Sequence, residues 1–274
     1  MMFTQRSNAP VLLAMLLFGV STTVGHAAVW PDHVAQAQTY VSQIKADNNT
    51  YGSPAFIDYD AAGTLQATTK CSSFVTLLLK NTYPGVITDS VVVALTGSSS
   101  PYADEWFAAI QSGTTDPNSG LRLLHRSTVA SMRVGDLIAS SYTTSGNTGH
   151  MMVLASLSLT DAQITPPYPI PGVALVNRYQ AKIYDSTQTI HGNYASNIDP
   201  DSRYHKQWNG TTWVADQGLG SGYIAIYEDA ATGTPVAWAW NTSKTTQSFY
   251  YAVTPPPDST LEYRPLAIGY LTYL

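Results

Sequence analysis

The amino-acid sequence predicts an α+β fold in which helices come first and an antiparallel β-sheet follows. Two segments in the first third of the chain, 31–46 and 69–81, repeat apolar residues at the spacing of one helix face. Beyond residue 120 the pattern changes to short apolar segments separated by turns rich in glycine, asparagine and proline. This change of period along the chain is typical of a helical layer packed on a sheet.

Three helices are predicted in the N-terminal part. The first covers 31–46, the second covers 69–81 with Thr68 or Thr69 as its N-cap, and a short third helix covers 103–111. The segment between the first two helices, up to about residue 64, is predicted to be a loop. The second helix has one apolar face, which is formed by Cys71, Phe74, Val75, Leu78 and Leu79.

The strands of the predicted sheet alternate with turns of recognisable chemistry. A proline-rich connection covers 166–171, a polar loop covers 186–222, and the turn 229–233 joins two strands as a hairpin. The predicted strands are 136–140, 150–157, the end of 174–185, 223–228, 236–240 and 266–274.

Residues 1–27 have the composition of a secretory signal peptide. Arg6 precedes an apolar run over 11–20, and small residues surround the expected cleavage after Ala27. The alternative is an uncleaved membrane anchor, although the run is shorter than the roughly 20 residues that span a bilayer. We therefore expect a periplasmic or secreted protein with no stable membrane insertion after signal removal. Residues 28–274 are expected to form a single domain.

Composition excludes several classes of partner and cofactor. The chain has 13 Lys and Arg against 18 Asp and Glu, a net charge of −5, and no basic cluster, so no nucleic-acid partner is expected. The phosphate-binding patterns GxGxxG and GxxxxGK[ST] are absent, as is the GxSxG pattern of serine hydrolases. No cofactor is predicted.

The chain contains one cysteine, Cys71, so no intramolecular disulfide can form. The residue lies in the first turn of the predicted second helix, where unpaired backbone N–H groups lower a thiol pKa and favour the reactive thiolate. The alternative is an inert buried thiol that packs as a small apolar side chain.

Two further residues complete a candidate catalytic set with Cys71. His150 follows a glycine-rich turn and opens an apolar strand, where its ring can act as a general base. Asp185 ends a later strand and can accept the other imidazole N–H, although a turn-capping role fits it equally well. His191 and the triplet 201–203 compete for the third position.

Other polar residues have simpler expected roles. Arg203 is expected to pair with a carboxylate and pin the long polar loop, and His33 and His125 are expected on the surface. A zinc site is the rival chemistry, but HExxH and paired-cysteine spacings are absent, so no metal is predicted. The residues close enough in sequence to share a cation are His191, Asp199, Asp201 and His205.

The order of these motifs resembles that of NlpC/P60-like cysteine peptidases and amidases of the papain-like superfamily. The matching segments are KCSSF at 70–74, VGDLI at 134–138, GHMMV at 149–153 and IYDS at 183–186. The chain differs by Lys70 before the cysteine and by an insertion over 160–172. The resemblance, to a divergent exported branch, covers roughly 68–190.

The resemblance implies a nucleophile-bearing helix packed on an antiparallel sheet, with an elaborated C-terminal part. It implies that Cys71 is the nucleophile, His150 the base and Asp185 the orienting residue of an exported hydrolase that cleaves amide bonds in peptidoglycan peptides. Two alternatives remain. One is an acyl- or thioester-handling enzyme that uses the same Cys–His pair. The other is a non-enzymatic exported module whose tryptophans (Trp208, Trp213, Trp238 and Trp240) stack on glycans.

Overall fold

The computed structural model describes residues 32–142, 147–191, 200–204, 207–208, 213–214, 216–243, 248–253 and 262–273. The predicted signal peptide, 1–27, lies outside these residues. The described chain has an α+β fold with a three-stranded, a nine-stranded and a two-stranded sheet. No helix in the described part of the chain is long and apolar enough to cross a membrane.

The three predicted helices are confirmed within a few residues. They are α1 (Asp32–Gln43), α2 (Cys71–Thr82) and α4 (Ala103–Ser112). An unpredicted helix, α3 (Asp89–Thr96), contains three consecutive valines, which favour strands when they are considered alone. Thr88 caps α3 through its side chain and Gly97 ends it in the left-handed conformation, so local capping overrides that preference.

A small three-stranded sheet precedes α2, where a loop was predicted. Its strands are β1 (Asn49–Tyr51), β2 (Phe56–Tyr59) and β3 (Leu65–Thr69), in the order β1-β3-β2. The prediction of a loop is wrong because these strands are only three to five residues long. Turn residues dominate the composition between them and hide the alternation of buried positions in β3.

The large sheet has nine strands, which are β4 (Leu121–His125), β5 (Leu137–Ser141), β6 (Gly149–Ile164), β7 (Val176–Thr187), β10 (Gly218–Asp229), β11 (Pro235–Ala239), β12 (Phe249–Tyr251), β13 (Glu262–Tyr263) and β14 (Leu266–Tyr273). Their order across the sheet is β13-β12-β11-β10-β7-β6-β5-β14-β4. All pairs are antiparallel except β12–β13, so the expectation of a wholly antiparallel sheet is wrong at that edge.

Three strands are longer than predicted, and one of them is β7, which covers Val176–Thr187 and not only the end of 174–185. β6 continues to Ile164 and pairs with β7 through three register shifts, so residues 160–164 of the expected insertion extend a β-ribbon. β10 begins at Gly218, inside the segment predicted to be a loop. The same segment contains the two-stranded sheet of β8 (Gln207–Trp208) and β9 (Trp213–Val214).

The large sheet buries apolar side chains on both faces. In β6, Met151 and Val153 pack into the cluster that contains the helices, whereas Met152 and Leu154 pack into a second cluster on the opposite face. The predicted apolar face of α2 is buried in the first cluster. The helix that carries Cys71 therefore packs directly on the strands that carry His150 and Asp185.

Candidate active site

Cys71 is the first residue of α2, and 7% of its surface is exposed. The N-cap is Lys70, whose backbone N–H donates to Ser73 Oγ at 2.8 Å. The predicted N-cap, Thr68 or Thr69, is wrong because both residues belong to β3. The thiol still lies, as expected, in the first helical turn, where backbone N–H groups have no helical acceptor.

His150 is positioned by the glycine before it. Gly149 has φ of +141°, and a Cβ at this position would lie 2.0 Å from the carbonyl oxygen of Ser140. Only glycine fits there, because any side chain would collide with the neighbouring strand. The Gly149 carbonyl lies 3.8 Å from Cys71 Sγ, so the turn that introduces His150 also contacts the thiol.

Asp185 meets His150 in the interior. Its Oδ2 accepts a hydrogen bond from His150 Nε2 at 2.6 Å, and the two residues are 0% and 5% exposed. Because Nε2 is bonded to the carboxylate, Nδ1 is the ring nitrogen left for Cys71. Cys71, His150 and Asp185, which the sequence predicts as site residues, therefore lie next to one another in the interior.

The protonation equilibria of this set favour a thiolate beside an imidazolium. Burial alone would raise the pKa of Cys71, but the hydrogen bond and charge of His150 outweigh it and lower the thiol pKa. Burial alone would lower the pKa of His150, but its hydrogen bonds to Asp185 and Cys71 raise it to about 9. Backbone hydrogen bonds from Met151 and Ser72 also favour the thiolate.

Tyr51 is a fourth residue of the site. It ends β1, and its hydroxyl hydrogen-bonds to Cys71. Burial and the charges of Cys71 and Asp185 raise the pKa of Tyr51 to about 12, so the phenol keeps its proton. Tyr51 was not among the predicted site residues because it lies in the segment predicted to be a loop.

A buried ionic network fixes the carboxylate of Asp185. Arg203 Nη1 donates to Asp185 Oδ1 at 2.7 Å, and Arg203 Nε and Nη2 donate to Asp201 at 2.9 and 2.8 Å. All three residues are at least 95% buried. Burial alone would raise the pKa of Asp185, but the charges of Arg203 and His191 hold it well below its usual range. The prediction that Arg203 pairs with a carboxylate is confirmed.

His191 is bonded to the same carboxylate oxygen as His150. Its Nε2 lies 2.8 Å from Asp185 Oδ2, and its Nδ1 lies 2.8 Å from the carbonyl oxygen of Trp240. Both partners only accept, so the two hydrogen bonds form together only when the ring carries both protons. The ring also stacks on Trp240 at 4.0 Å between centroids.

A strand glycine makes room for this network. In β10, a Cβ at Gly222 would lie 2.6 Å from His191 Cβ and 2.9 Å from Asp201 Oδ2. The missing side chain lets both residues pack flat against the sheet. No signal in a single sequence distinguishes this glycine from one in a turn.

Three side chains of the site offer possible metal ligands. One atom each from His150, Asp185 and His191 lies within 4.8 Å of the others. However, both Nε2 atoms are hydrogen-bonded to Asp185 Oδ2, and Arg203 binds the other oxygen. A fixed guanidinium on the same carboxylate opposes a second cation there.

The zinc set considered from the sequence is only partly described. Asp199 and His205 lie outside the described residues. Asp201 accepts from Arg203 and from the backbone N–H of His191, so its oxygens are already hydrogen-bonded.

A cavity of about 290 Å³ opens beside the candidate site. His150 and Tyr51 line one side of it, and Trp240 lines another. The Trp240 ring lies edge-on to His150, with centroids 4.8 Å apart. The cavity is large enough for part of a small ligand next to the histidine.

The four tryptophans considered for glycan stacking do not form one exposed platform. Trp238 is fully buried, and its Nε1 donates to the Arg264 carbonyl. The side chains of Trp208 and Trp213 lie outside the described residues.

The expectation that His33 lies on the surface is wrong. Its Nε2 hydrogen-bonds to the Gly135 carbonyl at 2.8 Å in the interior.

Comparison with known proteins finds no matching family model, no matching curated protein and no matching solved structure.

Proposed function

We propose that this chain is an exported cysteine hydrolase of the NlpC/P60-like, papain-like type, with residues 28–274 as its catalytic domain. Its substrate is an amide bond, in peptidoglycan peptides. One observation carries the proposal: the buried 2.6 Å hydrogen bond from His150 to Asp185, on a ring that also hydrogen-bonds to Cys71. A thiol with a lowered pKa and an oriented base are the two requirements of thiol nucleophilic catalysis.

In the first step, the Cys71 thiolate attacks the amide carbonyl carbon. A C–S bond forms and the carbonyl π electrons move to oxygen. The Tyr51 hydroxyl and the backbone N–H groups of Ser72 and Met151, all hydrogen-bonded to the sulfur, are donors close enough to serve that oxyanion. The His150 imidazolium then gives its proton to the amide nitrogen, the C–N bond breaks and the amine leaves.

In the second step, water hydrolyses the thioester. Neutral His150 removes a proton from water as the oxygen attacks the acyl carbon, and the C–S bond breaks to release the acid. Asp185 stays ionised throughout because Arg203 compensates its charge, so it orients the ring and stabilises the imidazolium.

The remaining parts of the proposal rest on the sequence and the layout. The signal-like 1–27 segment and the single cysteine support export of a reactive thiol. The papain-like assignment is supported by a helix with Cys71 at its start, packed on neighbouring strands that carry His150 and Asp185.

The direct experiment is alkylation of the folded protein with iodoacetamide over a pH series. A thiolate formed by the proposed pair reacts well below pH 8.5, the usual thiol pKa, whereas an inert buried thiol does not react. Hydrolysis is then measured with peptidoglycan fragments and with acyl thioesters. Turnover of thioesters alone would favour the acyl-handling alternative, and an unreactive thiol would exclude both enzymes.

A further inference from the structure

Arg264 lies at the wall of the cavity that His150 lines. Its guanidinium is stacked between the rings of Tyr142 and Tyr250, 3.9 Å from each centroid. The backbone of Arg264 is fixed on both sides, because its N–H donates to the Tyr251 carbonyl at 2.9 Å and its carbonyl accepts from Trp238. The charged group is therefore held at a defined position, with little rotamer freedom left to lose on binding.

The described lining of this cavity is cationic. It contains Arg264 and the His150 ring but no carboxylate, and its other polar groups are hydroxyls and amides. The counter-ion of Arg264 is Glu262, which lies outside the lining and whose side chain is 48% exposed. The Arg264 side chain is only 15% exposed, so solvent reaches this ion pair from the Glu262 side and screens the glutamate, and a ligand carboxylate inside the cavity can compete with it.

Arg264 shares its cavity with the candidate base. Its guanidinium donates a hydrogen bond to the Tyr142 hydroxyl, and Tyr142 and the His150 ring both line that cavity. A group bound at Arg264 therefore lies in the cavity that borders the imidazole of His150.

We propose that Arg264 is a specificity-determining residue that binds a carboxylate of the substrate, so that the preferred amides carry a carboxylate near the scissile bond. This inference rests on the proposed hydrolase and names its substrate class. Arginine suits the task, since its planar fork matches a carboxylate and its face stacks on aromatic rings.

The test compares two alkylating reagents at Cys71. Iodoacetate and iodoacetamide both form a C–S bond and expel iodide. They differ only in one group, which is a carboxylate in iodoacetate and a neutral amide in iodoacetamide. Because the chain has one cysteine, all thiol alkylation reports on this site. The readout is the ratio of the iodoacetate rate constant to the iodoacetamide rate constant, which cancels changes in the nucleophilicity of the thiol.

Arg264→Gln should lower this ratio about fivefold, the effect expected from removing one charge several ångströms away in a partly solvated cleft. Glu262→Gln should raise the ratio, because it removes the competing carboxylate from an exposed position and keeps Arg264. Arg133→Gln is the matched control, because Arg133 lines a different cavity. The ratio of rate constants in this variant should equal that of the unaltered protein.

The outcomes separate the two proposals. If iodoacetamide alkylates Cys71 below pH 8.5 but the ratio is the same in Arg264→Gln, the hydrolase proposal stands and the carboxylate site is refuted. If Arg264→Gln does not fold, Glu262→Gln decides, and an unchanged ratio refutes the site. If neither reagent alkylates the folded protein, the hydrolase proposal fails and this inference fails with it.

Discussion

His150 Nε2 and Asp185 Oδ2 lie 2.6 Å apart in the protein interior, and Arg203 holds the other oxygen of that carboxylate at 2.7 Å. The orientation of the imidazole is therefore set by a carboxylate that cannot easily rotate.

Cys71→Ala should remove essentially all turnover of a peptidoglycan peptide and leave the fold intact. The substitution deletes the proposed nucleophile but removes only one sulfur atom, so the cavity it leaves is small. The measurements are kcat/KM and the urea midpoint. The double variant Cys71→Ala/His150→Ala should be no slower than either single variant, because the two residues act as one unit. Full activity in Cys71→Ala would end the cysteine-hydrolase proposal.

Activity should fall as pH rises through about 9, where His150 loses the proton that the leaving amine needs. The acid limb should lie below pH 8.5, because the pKa of Cys71 is lowered and the thiolate persists into that range. The measurement is kcat/KM against pH. The iodoacetamide rate in His150→Gln should instead follow an ordinary thiol titration; an unchanged profile would show that His150 does not control the thiol.

Asp185→Asn should reduce kcat/KM less than Cys71→Ala or His150→Ala, because it costs orientation and leaves the nucleophile in place. It should nevertheless destabilise the fold by about 3 kcal/mol, since Arg203 loses one of its two buried carboxylate partners. Urea unfolding measures the change. Asp89→Asn, which breaks a mostly exposed pair with Lys80, should cost no more than about 1 kcal/mol.

Because the pKa of Asp185 is depressed, the free energy of unfolding should fall in acid. The pKa of Asp185 is depressed in the folded protein, so its contribution is present above about pH 4, the unfolded value, and is lost as pH falls below it. The free energy of unfolding should decline with acid less steeply in Asp185→Asn than in the unaltered protein. Equal slopes would contradict the ionised state of Asp185.

Gly222→Ala should lower both stability and kcat/KM, because its Cβ would lie 2.6 Å from His191 Cβ and push that ring off Asp185. Gly52→Ala is the matched control: its Cβ meets only ordinary contacts, the nearest at 3.6 Å. Thermal unfolding and kcat/KM of the two variants make the comparison. Equal behaviour would show that the His191 network does not depend on this close packing.

A chelator should leave the activity of the protein unchanged, since the proposed steps use only thiol, imidazole and carboxylate groups. His150, Asp185 and His191 are nevertheless spaced so that they could accept a cation. The assay is hydrolysis before and after dialysis against chelator, followed by added zinc. Loss of activity that zinc restores would favour the metal alternative.

The residues proposed to carry the chemistry could be singled out in the sequence because their signals are local. Cys71 is the one cysteine and begins an amphipathic helix, and His150 follows a glycine that opens an apolar strand. Asp185 was one of several candidates, because sequence order alone did not separate it from His191. In the structure, Asp185 is bonded directly to His150, and His191 is bonded to the same oxygen of the Asp185 carboxylate.

What the sequence left out depends on contacts between distant segments. Tyr51 reaches the thiol only because β1 pairs in parallel with β3, the strand that leads into α2. Parallel pairing of three-residue strands has no periodic signature. His33 was expected outside for a related reason: its acceptor is the Gly135 carbonyl, about a hundred residues away.

The side chain of Asn49 connects the small sheet, which carries Tyr51, to the large sheet. It donates to the Leu219 carbonyl at 2.7 Å and accepts from the Leu219 N–H at 2.8 Å, which attaches the small sheet to β10. Cys71 lies on an early helix, whereas β6, β7 and β10 come later in the chain. The thiol therefore has the modest reactivity of any unfolded cysteine until those strands pack against α2, and the proposed nucleophile is activated only late in folding.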